Sequence, residues 1–135
     1  MDFVSWSDNL SVGIKRFDDE HKQLVAYVND LNNALKLGSA SKTLEDILVR
    51  LVKYTIVHFD HEEKLMQKHN YPDYIKHKNE HSELTAQVND FYERVKTGKA
   101  TFSFELLTFL KDWLTNHILG SDMTYKEFFN SRGES

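Results

Sequence analysis

Four stretches of the chain carry apolar residues in steps of three and four. The first reads Phe17, His21, Leu24, Val28, Leu31 and Leu35, and the second Leu44, Leu48, Leu51, Thr55, His58, Glu62 and Leu65. The third reads Tyr74, His77, His81, Leu84, Val88, Phe91 and Val95, and the fourth Leu106, Leu110, Trp113 and His117. Stripes of this period are the inward faces of amphipathic helices. Gly38, Pro72 and Gly98 separate the stretches, and no run of alternating β-branched residues suggests a sheet. Gly38 and Gly98 stand where a helix end favours a residue tolerant of positive φ. Thr43 with Asp46 resembles a capping box for the second helix, and Asp73 after Pro72 marks the start of the third. The pattern predicts an all-α fold: an antiparallel up-down-up-down four-helix bundle with an N-terminal arm and a short C-terminal helical segment. The expected bounds are 1–16 for the arm, about 17–119 for the bundle and about 121–131 for the last segment.

Polar residues interrupt these seams. A carboxylate at a core position costs several kcal/mol unless it is paired, and an unpaired buried imidazole also loses hydrogen bonds. One histidine in a core is ordinary. Five across four helices, with a glutamate, call for a cause.

Register places these residues together. Antiparallel helices joined by a short loop bring residues level when their numbers sum to about twice the loop centre. The first loop, between Gly38 and Ser41, sets His21 level with His58. The second, around Asn70 to Pro72, sets His81 opposite His61 and within a turn of His58 and Glu62. The third, centred on Lys99, sets His81 opposite Ile118 and His77 opposite Asp122. Along the helices, His58 and Glu62 are four apart, as are His77 and His81, so each pair shares a face. His117 and Asp122 are five apart, which on a regular helix turns them roughly 140° away from each other. With Gly120 between them, a break or fresh turn is expected that swings Asp122 inward.

The predicted layer holds His21, His58, Glu62, His77, His81, His117 and Asp122. Seven donors exceed one tetrahedral zinc and suit two octahedral ions that share carboxylates. The chain has no cysteine, which excludes disulfides, thiolate sites and iron–sulfur clusters. Histidine with carboxylate suits iron or manganese, and zinc is not excluded by affinity alone. His61 falls off the seam and His69 lies three turns beyond His58, so both are expected outside the layer. No HExxH is completed, against a metalloprotease.

Composition bounds the rest. The 135 residues suit one domain, 40% hydrophobic and 28% charged. A formal charge of −4 without a basic cluster argues against nucleic acid and anionic membranes as partners. No stretch approaches the roughly 20 apolar residues of a membrane span. Met1 to Trp6 lacks the form of a signal peptide, so the expectation is a cytoplasmic protein, with a monomer as the default.

The ordered stretches resemble the haemerythrin family, in particular its bacterial members. They are Gly13-Ile14 through Phe17-Asp18-Asp19-Glu20-His21-Lys22, then His58-Phe59-Asp60-His61-Glu62-Glu63-Lys64-Leu65-Met66. Tyr71-Pro72, His77-Lys78-Asn79-Glu80-His81, and His117-Ile118 through Asp122 to Tyr125 complete the set, and no ligand position departs from the pattern. The resemblance runs from Trp6 to about Phe129. It implies a non-haem diiron centre with an oxo or hydroxo bridge: one iron on His77, His81 and His117, the other on His21 and His58, with Glu62 and Asp122 bridging. The implied activity is reversible dioxygen binding at the iron with fewer histidines, for storage, delivery or buffering, and not an enzymatic one. Small anions are implied partners of the oxidised centre. Helical proximity to His21, His58 and His117 gives an expected oxygen pocket of Leu24, Phe59, Trp113 and Leu114. Asp18 and Tyr125 are candidates to support the ligands from behind. Oxygen-activating bundles typically use Glu-x-x-His pairs, which this chain lacks. The alternatives are an oxygen- or redox-sensing domain cut from a longer signalling protein, and a diiron oxidase, peroxidase or nitric oxide-handling protein.

Overall fold

In a computed structural model the described residues, 3–99 and 103–135, form helices and no strand. Four long helices make the bundle: α1 (Lys15–Lys36), α2 (Ser41–Lys68), α3 (Tyr74–Lys96) and α4 (Phe104–Gly120). An arm with a 3-10 turn at Asp8–Leu10 precedes them; a second 3-10 turn, Asp122–Tyr125, and a short α5 (Lys126–Ser131) follow. The predicted stripes form the core. Phe17, Leu24, Val28 and Leu31 of α1 meet Leu44, Leu48 and Leu51 of α2 and Leu106 and Leu110 of α4, all buried. α3 is the least buried of the four, with only His77, His81 and Val88 fully covered.

The connections show why the chain turns where it does. At Gly38, φ is +69°, and the backbone closes with Gly38 N–H to Leu35 O (3.1 Å) and Ser39 N–H to Ala34 O (3.0 Å). Those paired bonds stop the helix and satisfy its last carbonyls. Asn70, at φ +54°, ends α2 the same way, a role that the sequence reading gave to glycine alone. The expected capping box is absent: α2 begins at Ser41, so Thr43 lies inside its first turn, and Asp46 pairs with Lys42 instead (3.1 Å). α1 likewise starts two residues before the expected bound, at Lys15.

The arm is anchored rather than loose. Val4, Leu10, Val12 and Ile14 are buried, and Asn29 of α1 exchanges two 2.8 Å hydrogen bonds with the Val4 backbone. Asp18 accepts from Ser11 Oγ (2.6 Å) and from Val12 N–H (2.8 Å). Gly13 sits at φ +74°, where a Cβ would come within 2.9 Å of Asn130 Nδ2 and 3.0 Å of Lys126 Cε. The arm therefore lies tight against α5, and α5 in turn closes the end of the bundle that carries the polar layer.

Candidate metal centre

α4 ends at Gly120, and the 3-10 turn beginning at Asp122 carries that side chain inward to zero exposure. Ser121 fixes the turn, donating its N–H to His117 O (2.9 Å) and its hydroxyl to Glu80 on α3. The break anticipated at Gly120 is what lets Asp122 face the same space as His117.

All seven predicted side chains converge there. Asp122 Oδ1 lies 3.0 Å from His77 Nε2 and 3.1 Å from His117 Nε2, while its Oδ2 lies 3.1 Å from His21 Nε2. Glu62 Oε1 lies 3.2 Å from His81 Nε2 and 3.4 Å from His58 Nε2. Donor atoms of Glu62, His77, His81, His117 and Asp122 form one compact group, and those of His21, His58, Glu62 and Asp122 form a second. The two carboxylates belong to both. His61 and His69 stay outside, as expected, yet neither is simply solvated: His61 Nδ1 bonds Glu20 (2.6 Å) and His69 Nε2 bonds Glu134 (3.0 Å).

Whether this cluster suits metal ions can be judged from its own atoms. The Nε2 atoms of His21, His58, His81 and His117, with Glu62 Oε1 and Asp122 Oδ2, are buried without a hydrogen-bond partner. Native cores rarely leave polar atoms unsatisfied, and these six face one volume, whereas His21 Nδ1 and Asn32 Oδ1, also without a partner, stand apart from it. Cations placed between the six would satisfy every one. Two carboxylates and five imidazoles, with no thiolate, make a donor set that fits a pair of iron ions.

Carboxylates hold the backs of two imidazoles, and a third stands farther behind His117. Glu20 accepts from His58 Nδ1 (2.7 Å), Glu63 Oε2 lies 3.0 Å from His81 Nδ1, and Glu80 Oε2 lies 4.0 Å from His117 Nδ1. A proton kept on Nδ1 leaves the Nε2 lone pair aimed inward, the tautomer a metal needs. Tyr125, also buried, donates its hydroxyl to Glu62 Oε2. Asp18 does not join them, since its carboxylate is taken up by the arm. The sequence reading missed Glu20, Glu63 and Glu80. Their numbers obey the register rule used for the histidines, with Glu20 level with His58 and Glu63 with His81, so applying the rule to acidic residues beside the seam would have found them.

Electrostatics follow from the packing. Burial opposes a charge on His21, but the adjacent Asp122 and Glu62 carboxylates outweigh it and lift the pKa to about 10. His81, also penalised by burial, is raised to about 9 by Glu62 and Glu63. Burial pushes against ionisation of Glu62 and Asp122 too, yet the surrounding histidines hold both below the usual carboxylate range. Burial, with Glu62 and Asp122 nearby, pushes the Tyr125 hydroxyl well up.

Beside the cluster lies a cavity of about 10 Å³, room for one water-sized molecule. Leu24, Phe59, Trp113 and Leu114 line it, joined by Leu84 and Ile118, which the sequence reading did not include. His21, His58, His117 and Asp122 form its polar wall.

Known proteins with similar sequences and folds point the same way. A family profile described as "Hemerythrin HHE cation binding domain" matches residues 12–129. A bacteriohemerythrin of Stenotrophomonas maltophilia is 32% identical over 127 residues, 94% of this chain and 82% of that protein. A myohemerythrin of Theromyzon tessulatum is 37% identical over 121 residues, covering 90% of this chain and 89% of its own. The crystal structure of a wild-type hemerythrin superposes with a TM-score of 0.88 at 30% identity, over 93% of this chain and 96% of that one.

Proposed function

This chain belongs to the haemerythrin family, and on that premise we propose that it binds dioxygen reversibly at a non-haem diiron centre. The observation that carries the reading is the set of buried, partnerless Nε2 and carboxylate oxygen atoms facing one volume beside a small apolar cavity. In this reading His77, His81 and His117 hold one iron, His21 and His58 hold the other, and Glu62 and Asp122 bridge the two. The donor groups that share these carboxylates support that division. When bound, the iron pair supplies the two electrons that reversible dioxygen capture draws on.

The chain's own residues set the conditions. Five neutral imidazoles and two carboxylates bring only two negative charges, a set that favours the lower oxidation state over a deeply oxidised one. Glu20 and Glu63 keep His58 and His81 in the inward-facing tautomer. Tyr125 ties down Glu62 Oε2 and keeps its own proton on the hydroxyl oxygen. Leu24, Leu114 and Ile118, with Phe59 and Trp113, shape an apolar space that admits a small neutral molecule and resists water. Water and protons are what a reversible carrier must exclude, because they convert binding into oxidation.

Storage, delivery or local buffering of oxygen, without catalytic turnover, is the role this supports. Small anions at the oxidised centre, a monomeric state and a cytoplasmic location, where a reducing interior keeps iron ferrous, belong to the same proposal. Among the described residues no helix is long and apolar enough to cross a membrane. The test is spectroscopic. Anaerobically reduced, iron-loaded protein exposed to air should gain a visible charge-transfer band that vanishes when oxygen is removed; iron-loaded protein with no reversible change would overturn the reading.

A further inference from the structure

Beyond the buried cavity, the outer faces of α3 and α4 diverge. The pairs α1–α2, α2–α3 and α1–α4 pack closely, whereas the α3 and α4 backbones stay farther apart. Between them lies an open groove of about 410 Å³. Its floor is made of Leu84, Trp113 and His117, which also wall the inner cavity, so a single layer of side chains separates the two spaces. Trp113 Nε1 donates to Leu84 O (3.3 Å), a single weak link across that layer. His117, 7% exposed, turns an unpartnered Nε2 towards the interior. The neighbouring α2–α3 groove shares only Phe59 with the cavity, and there the ring lies flat on His81 at 3.8 Å and shuts the passage.

The rim of the α3–α4 groove is one-signed. Glu80, Glu83 and Asp112 line it, and no lysine or arginine does. Glu80 is engaged by Ser121, but among the described residues Glu83 and Asp112 take part in no hydrogen bond or ion pair. Both are exposed and placed to act on whatever enters.

We propose that the α3–α4 groove is the entrance to the buried cavity, and that Glu83 and Asp112 make it selective for uncharged ligands by repelling anions. The proposal rests on the dioxygen-binding reading and names its filter. A neutral diatomic molecule feels no force from the rim, while an anion crosses two unneutralised carboxylates just before the low-dielectric partition, where their field is focused. Small anions are the natural competitors at an oxidised, cationic centre, so a filter at the mouth protects the site without touching the donors.

Oxidised, iron-loaded protein mixed with azide at low ionic strength gives the rate of anion entry, and reduced protein mixed with dioxygen gives the neutral rate. In the double variant Glu83→Gln/Asp112→Asn, azide should enter roughly tenfold faster, with the gain shrinking at high salt and the dioxygen rate unchanged. A second readout is independent of the iron chemistry. In a Trp6→Phe background Trp113 is the sole tryptophan, and its quenching by iodide should rise two- to threefold in the double variant, while quenching by uncharged acrylamide stays constant. Unaltered azide and iodide responses, or an equal acceleration of azide and dioxygen, would overturn the filter. Loss of reversible dioxygen binding with the iodide response intact would instead count against the oxygen-carrier reading.

Discussion

Glu20 shows how much of the site depends on residues that touch no ion. Its two carboxylate oxygens accept from His58 Nδ1 at 2.7 Å and from His61 Nδ1 at 2.6 Å. It thereby fixes one donor's ring and tautomer while tying α1 to α2. Replacing Glu20 with Gln removes the charge and should weaken metal retention about 10- to 100-fold, read by competition with a chelator, while the helical content stays the same. A second expectation concerns protons. In the metal-free protein His21 and His81, with pKa values raised to about 10 and about 9, are both charged at neutral pH. A raised pKa stabilises the fold fully below about 6.5 and loses that contribution as pH climbs through 9 to 10. The depressed Glu62 and Asp122 act oppositely, contributing above the normal carboxylate range and failing in acid. Metal must displace the two histidine protons, so loading at pH 7 should release about two protons per chain from these residues and tighten as pH rises towards 9. Calorimetry in buffers of different ionisation enthalpy measures that release.

At the scale of elements, the decisive feature is the end of α4. A regular helix through Asp122 would turn it away from His117; stopping at Gly120 and resuming as a 3-10 turn brings both to one face. The five-residue spacing and the glycine made this break legible in the sequence, just as the three-and-four stripes made the four helices legible. What escaped the sequence was tertiary in origin. The Thr43–Asp46 pair has the composition of a cap, but the helix begins at Ser41 with Ala40 in the N-cap position, which leaves Thr43 no cap to make. Asp18 lies one helical turn before His21, yet it turns to the arm because Ser11 and the Val12 N–H offer it bonds there. Local pattern does not say which of two neighbours a carboxylate will choose. The arm's own register hangs on Gly13, where positive φ and the contact with Asn130 and Lys126 both exclude a side chain. Gly13→Ala should cost about 1–3 kcal/mol of stability in denaturant unfolding and loosen the arm against α5.

For the whole molecule, site and fold are one problem. A bundle that buries Glu62 and Asp122 completely, among imidazoles with orphaned nitrogens, carries an electrostatic load that its apolar layers alone must offset when no ion is present. Ions binding the folded chain and not the unfolded one shift that balance. Metal removal should therefore lower the melting temperature, and His77→Ala should lose iron and thermal stability together. Normal iron content in that variant would remove His77 from the ligand set. The odd feature of the sequence, polar residues at core positions, thus has an explanation. The most direct test of it is an anomalous difference map at the iron edge from crystals of iron-loaded protein. Two peaks are predicted between Glu62 and Asp122, one against His77, His81 and His117 and one against His21 and His58. A single peak, or iron found only at the surface, would contradict the account.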